Sequence, residues 1–295
     1  MSDQATKLRA LAATNAVGPE ERDHSDRSEP LPATTRVIAV TSGKGGVGKT
    51  TLAVNLALLL AEQGASALIV DADLGLANVD VMLGLDSTRH MGHLLLPGYE
   101  AEDVSTVGPH CVRLISGGSG LRELAEASAE ERRSLIGKLR TYFQKFDYVL
   151  VDTSPGIGPE VVDFLRVAQE ILLVTTPEPT SLRDTYAATK MIASLVPDCE
   201  VQLVVNAASS LAEAEKAVEA LNVVTAKFLG RRYELWRSIE SDPMALRAIH
   251  QRIPLALLCP RSPAALSIRQ LAMSLTESVS DRGRGGGCVA HAAAP

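Results

Sequence analysis

Six side chains in three short stretches could do phosphate chemistry. The first stretch, Gly43-Lys44-Gly45-Gly46-Val47-Gly48-Lys49-Thr50-Thr51, fits G-x-x-x-x-G-K-[ST]. Its glycines let the backbone curl so that N–H groups converge on phosphate oxygens. A helix starting there adds partial positive charge. Lys49 is placed to reach the β- and γ-phosphates of a nucleoside triphosphate, and the Thr50 hydroxyl to ligate Mg²⁺. The second stretch is Asp71-Ala72-Asp73, and the third is Asp152, which ends the run Tyr148-Val149-Leu150-Val151. Carboxylates at the ends of buried strands are where a metal or an attacking water is held, so Asp73 and Asp152 are candidate Mg²⁺-site residues with Thr50. Lys44 is a second lysine inside the loop.

These groups need strands to carry them. Val37–Val40 is an apolar run suited to a strand buried on both faces, and an apolar-periodic helix follows the loop. Ala65–Val70, Cys111–Ile115, Tyr148–Val151, Ile171–Thr175 and Val201–Val205 read as further buried strands. Tyr233–Ile239 and Ile253–Leu258 read as two more. Helical patterns lie between them: Ser128–Phe146 with Arg132, Arg133 and Lys138 on its solvated face, one beginning at Thr180 or Ser181, Val218–Leu229, and Ser262–Val279. Alternating strand and helix predicts an α/β fold with a doubly wound, mostly parallel sheet flanked by helices. Pro155, Gly156 and Gly158 give the loop after Asp152 freedom to change shape with the γ-phosphate. Val201–Val205 ends in Asn206, at the sheet edge expected to take the base. The sequence there is Asn-Ala-Ala-Ser rather than the guanine-reading N-K-x-D, which favours ATP, and Asn206 is either a reader of the adenine edge or a turn residue.

The 295 residues are 46% hydrophobic but only 3% aromatic, so the expected core is aliphatic. A net charge of −6 provides no global field for nucleic acid or anionic lipid. The four cysteines are scattered without a C-x-x-C pair, which argues against zinc or a redox dithiol. Three of them, beside apolar runs, read as core residues. No leader pattern or apolar stretch approaching a membrane span is visible, and the expected location is cytoplasmic. Residues 1–35 read as a short helix capped by Ser2, with Ala5, Leu8 and Leu11 on one side, and a charged, proline-rich linker. Residues 36–280 read as a single domain, and 281–295 as a flexible tail without the bulky apolar and basic residues of a membrane anchor. The last helix has an apolar stripe but few basic residues opposite it, which favours packing on the sheet over lying on a membrane.

The sequence Lys44-Gly-Gly-Val-Gly-Lys49-Thr-Thr resembles the deviant P-loop family that includes MinD, ParA and the nitrogenase iron protein. More narrowly, VTSGKGGVGKTTLAVNLALLLA, LIVDADLGLANVDVMLGL, DYVLVDTSPGIG, LLVTTPEPTSLRDTYAATKMI and CPRSPAALSIRQLA resemble the MinD-like flagellar number regulators, the FlhG or FleN family. Asp3, Gln4, Ala5, Leu8 and Arg9 match that family's D-Q-A-x-x-L-R segment, which in the family stimulates the GTPase of the partner FlhF. The resemblance implies an ATPase with ATP and Mg²⁺ as cofactors. In it Lys49 and the loop amides bind phosphates, and Lys44 acts across an ATP-held homodimer. Asp73 would position the attacking water, and Asp152 would support the metal. It further implies partners in FlhF, the activator FleQ or the flagellar switch ring, weak membrane association, and a place at the pole or the inner membrane face. The alternative is a ParA- or MinD-type positioning or DNA-partition ATPase unconnected with flagella. A metallocluster carrier is the least supported, for want of cysteine spacing. The chain departs from the family pattern in YELWRSIESDP, where relatives end a strand in Gly-x-Ile-Pro, and in Ser154-Pro155, where they often carry two small residues.

Overall fold

The structure, a computed structural model, describes residues 35–73, 78–118, 127–156 and 158–282. The N-terminal segment with Asp3, Gln4, Ala5, Leu8 and Arg9, and the C-terminal tail, lie outside the described residues. So do Leu74–Ala77 and Ile157.

In chain order the elements are β1 (Arg36–Thr41), α1 (Lys49–Glu62), β2 (Ala67–Ala72), α2 (Val79–Leu83), a 3₁₀ turn (Met91–Leu95), β3 (Ser105–Val107), β4 (Arg113–Ile115), α3 (Ala129–Phe143), β5 (Tyr148–Thr153) and α4 (Pro159–Val167). There follow β6 (Glu170–Thr175), α5 (Pro179–Leu195), β7 (Glu200–Ala208), α6 (Leu211–Leu229), β8 (Leu235–Glu240), α7 (Pro243–Gln251), α8 (Leu255–Leu258) and α9 (Pro263–Arg282). The eight strands form one sheet in the order β3-β4-β2-β5-β1-β6-β7-β8. Every pairing is parallel except β3 with β4. The doubly wound, mostly parallel α/β architecture expected from the sequence is therefore present.

The strand sequences are continuously apolar because both faces are covered. Ile38, Val40, Ile69, Leu150 and Leu172 pack under α1 and α9 on one side. Val37, Leu68, Val70 and Val149 pack under α3, and Ala39, Ile171, Leu173 and Leu203 under α5 and α6, on the other. α9 belongs to the first layer, with Ala264, Ile268, Leu271 and Leu275 buried, as its stripe predicts. A buried group at the opposite end of the sheet from the phosphate loop pins it. Arg36 forms a fork to Glu170, with Nε–Oε1 at 2.9 Å and Nη2–Oε2 at 2.6 Å, and Nη1 donates to the Leu275 carbonyl.

Four expectations are corrected. Ile253–Leu258 is no strand: Pro254 starts the helical turn α8, and its Ala256 N–H donates to the buried Asn55 Oδ1 of α1 at 2.7 Å, leaving no ladder to join. The second strand runs to Ala72, so Asp71 lies inside the sheet rather than beyond it. Cys111 is exposed at a left-handed turn (φ 61°) and is no core residue, while Cys199 and Cys259 are half-buried and pack against the edge of the core. On α3, Lys138 is an anchor: its Nζ donates to the carbonyls of Leu94 (3.1 Å) and Tyr99 (2.8 Å), while Arg132 pairs with Asp163 of α4. Ser128 caps α3 as its S-x-x-E sequence dictates.

Candidate nucleotide-binding site

The parallel register brings the three stretches to one edge. β1 lies between β5 and β6, Val40 is level with Asp152, and Asp152 is level with Asp71 of β2. The loop leaving β1 turns into α1 at Gly48, whose φ of 93° only glycine holds without strain. A side chain there would also strike Asn206, whose Nδ2 would lie 2.3 Å from the new Cβ. Gly43 is required for a different reason: a Cβ would fall 2.0 Å from the Asp184 carbonyl oxygen on α5. Ser42 fastens the loop, its Oγ donating to the Lys44 carbonyl at 2.7 Å and its own carbonyl accepting from Gly156 N–H at 3.1 Å. The second contact joins the phosphate loop to the loop after Asp152.

A cavity of about 810 Å³ opens here, lined among others by Gly45, Gly46, Lys49, Thr50, Asp73 and Pro155. Lys49 is buried (5% exposed). Burial lowers its pKa, and the nearby Asp152 and Asp73 carboxylates oppose that. Asp152 is fully buried, and neither carboxylate oxygen has a hydrogen-bond partner among the described residues. Desolvation pushes its pKa up to about 7, against the pull of the neighbouring Thr50 hydroxyl and Lys49 ammonium. A buried carboxylate lacking partners beside a threonine hydroxyl is an unfinished cation site. The oxygen donors suit Mg²⁺, which keeps waters and needs only one or two protein ligands. ATP with Mg²⁺ thus fits the residues present, with Thr50, Asp152 and Asp73 on the metal side and Lys49 and the loop amides on the phosphates.

The two carboxylates of Asp71-Ala72-Asp73 divide their duties. Asp73 lines the cavity. Asp71 is wholly buried, and its oxygens accept N–H groups from Asp73 (3.1 Å), Asn78 (3.2 Å) and Val79 (3.3 Å). It ties the ends of the Asp73–Val79 loop to the sheet, a structural role, whereas the sequence reading favours phosphate chemistry for it. Burial first, then the nearby Asp152, raises its pKa to about 8. Asn206 also serves the loop: its Nδ2 donates to the Val47 carbonyl at 2.7 Å. Lys44 stands on the rim, with Nζ 2.9 Å from Glu178 Oε2 and 3.1 Å from Thr180 Oγ1. With side-chain exposures of 37% and 65% the pair contributes under about 1 kcal/mol, so Lys44 is easily released. Sequence reasoning read Ser181 only as a possible helix start; the helix begins at Pro179, and the buried Ser181 hydroxyl meets Thr175 Oγ1 at 3.0 Å and accepts Thr176 N–H, locking α5 to β6.

A family model described as ParA, "NUBPL iron-transfer P-loop NTPase", matches residues 33–275. Among curated proteins, the antiactivator FleN of Pseudomonas aeruginosa is 38% identical over 240 residues, 81% of this chain and 86% of that protein. The flagellum site-determining protein YlxH of Helicobacter pylori is 32% identical over 239 residues, 81% of each. Among solved structures, the cell division ATPase MinD of Pyrococcus furiosus superposes with a TM-score of 0.70 at 26% identity, covering 83% of this chain and 99% of that one. MinD of Pyrococcus horikoshii, complexed with Mg-ADP, gives 0.69 at 25%, covering 85% and 100%. The chain belongs to the ParA/MinD family of P-loop ATPases, in the branch of the FleN and YlxH flagellar regulators.

Proposed function

We propose that this regulatory ATPase is a switch controlling flagellar number or placement, worked by an ATP-held homodimer. The observation that carries the reading is the phosphate loop with two lysines of different station. Lys49 is buried in the cavity wall within the influence of the Asp152 and Asp73 carboxylates, whereas Lys44, next to the lining residue Gly45, rests on a weak, exposed partner. A buried lysine neutralises phosphates in its own site. A rim lysine freed from Glu178 can reach a triphosphate held by a second copy facing it. ATP then favours the dimer because the triphosphate charge is met only by two subunits, and hydrolysis removes that differential affinity. Thr50 and Asp152 would hold Mg²⁺, which when bound would supply neutralising charge to the phosphates, and Asp73 would orient the attacking water. The contact of Gly156 N–H with the Ser42 carbonyl gives a route by which phosphate occupancy reaches the loop after Asp152.

In this reading the switch works in the cytoplasm, at the pole or inner membrane face, with at most weak membrane association. FlhF is the partner, engaged through Asp3, Gln4, Ala5, Leu8 and Arg9, and FleQ or switch-ring proteins receive the ATP-bound form. Similarity to FleN and YlxH supports the flagellar assignment. The test is capture of purified FlhF by the full chain and by a chain lacking residues 1–13, with FlhF GTP turnover measured alongside. Capture and faster turnover by the full chain alone are expected; equal behaviour of the two removes FlhF from the account.

A further inference from the structure

α7 turns apolar side chains away from the core. It packs on the body through the buried Ala248 and holds Leu246 and Ile249 outward. The outward residues continue past its end. Ile253 N–H donates to the Ala248 carbonyl at 3.1 Å, α8 follows, and Ile253 and Leu257 recur at four-residue steps from Ile249. These four side chains are from 38% to 61% exposed. Val81 of α2, also exposed, lines the phosphate cavity together with Ile249. Apolar residues scattered singly over a surface need no explanation, but a strip at helical spacing does.

The charge beside this strip opposes that of the whole chain. The net charge is −6, yet from Pro243 to Thr276 there is no aspartate or glutamate, against four arginines and a histidine. Of these, Arg269 pairs with Glu62 at 3.0 Å. Arg247, Arg252 and Arg261 are exposed and form no ion pair among the described residues. Counted round the helix, Arg247 and His250 fall on one flank of the strip, and Arg252 caps its end. Carboxylates on the neighbouring segments are mostly occupied. Asp242, the cap of α7, accepts from Met244 and Ala264 N–H, and Asp80 of α2 from Val81 N–H and Ser116 Oγ. That leaves the exposed Asp86 against three arginines.

Leucine and isoleucine in a line, with cations beside them, match an anionic bilayer surface. The apolar side chains enter the acyl boundary and the arginines meet headgroup phosphates. A convex strip has no hollow for a partner's side chain, and nucleic acid has no use for its apolar centre. A second copy meeting the same face would set arginine against arginine.

We infer that α7 and α8 form a weak docking face for an anionic phospholipid membrane, with Leu246, Ile249, Ile253 and Leu257 at the acyl boundary and Arg247, Arg252 and Arg261 on lipid phosphates. The face gives a place on the chain to the membrane association proposed above, and it rests on that reading for the membrane alone, not for the ATP-held dimer. The test is flotation of the full chain, with ADP, on vesicles of phosphatidylcholine alone or with one part in three phosphatidylglycerol. The bound fraction at low salt should be at least about fivefold larger on the anionic vesicles and should fall toward the phosphatidylcholine value at about 0.5 M salt. Arg247→Glu/Arg252→Glu and, separately, Leu246→Ser/Ile253→Ser should each lower binding at least about fivefold. Arg133→Glu/Lys190→Glu makes the same charge change at exposed positions of α3 and α5, across the sheet, and should stay within about twofold. Absence of flotation, equal binding to both vesicles, equal loss in Arg133→Glu/Lys190→Glu, or full binding by Leu246→Ser/Ile253→Ser would overturn the proposal. Loss of the ATP dimer by Leu246→Ser/Ile253→Ser with flotation intact would assign the strip to a second copy and overturn it too. Should either double variant of the face melt early, the other carries the test.

Discussion

Replacing Asp152 by asparagine should make the metal-free protein more stable at alkaline pH while removing its response to Mg²⁺. Burial raises the folded-state pKa of Asp152 to about 7 from an ordinary 3.8. The folded state therefore binds this proton more tightly than the unfolded chain does. With about 1.4 kcal/mol per pKa unit, ionising the buried carboxylate costs up to about 4 kcal/mol of stability. The cost begins as pH rises above the unfolded value and is complete above the folded one. Roughly 3 kcal/mol of it falls between about pH 5 and about pH 7. Asp71 titrates in the same region and feels Asp152, so losing one charge also eases the other. The assay is urea denaturation of both proteins in a chelator, at about pH 5 and about pH 8.5, then again with Mg-ADP. Wild type should lose stability toward pH 8.5 and recover it with Mg-ADP. Asp152→Asn should show a flatter pH dependence, exceed wild type at the higher pH by about 2–4 kcal/mol, and gain little from the metal. A variant less stable than wild type at pH 8.5, or one with the same pH slope, would refute the idea of an uncompensated buried carboxylate awaiting a cation.

Asn206→Ala removes the 2.7 Å bond to the Val47 carbonyl and should weaken ATP binding about fivefold in a fluorescent-nucleotide titration, from about 1 kcal/mol of lost loop support. Gly48→Ala meets both a φ of 93° and the Asn206 amide; nucleotide affinity should drop by more than about a hundredfold and the melting temperature should fall by several degrees, and Asn206→Ala in the same chain should restore only part of each. Lys138→Ala leaves the Leu94 and Tyr99 carbonyls without their donor and should cost about 1–3 kcal/mol in thermal denaturation with ATP turnover unaltered.

The sheet and the phosphate loop were legible because they answer to local rules. Val37–Val40 and Tyr148–Val151 are apolar at every position, as strands covered on both sides must be, and the Gly43–Thr51 spacing is dictated by a backbone that has to wrap a phosphate. What escaped is non-local. That Asp71 lies within β2 and holds three backbone amides depends on where Asn78 and Val79 return, which no residue near Asp71 announces. Asn206 points at Val47 across 159 positions, and Lys138 reaches two carbonyls of a distant turn. Ile253–Leu258 carries a strand's composition, but the sheet already ends at β8 and Asn55 supplies the amide's partner. β3, three residues and antiparallel on the edge, is too short for a periodic signal.

The most direct measurement is the molar mass of the full chain by sedimentation equilibrium with ATP, in Asp73→Ala to block turnover, and in the same chain with Lys44→Ala added. The account predicts twice the 31.3 kDa of one chain in the first case, and 31.3 kDa in the second and with ADP. A single-chain mass with saturating ATP, or a dimer indifferent to the loss of Lys44, would contradict it.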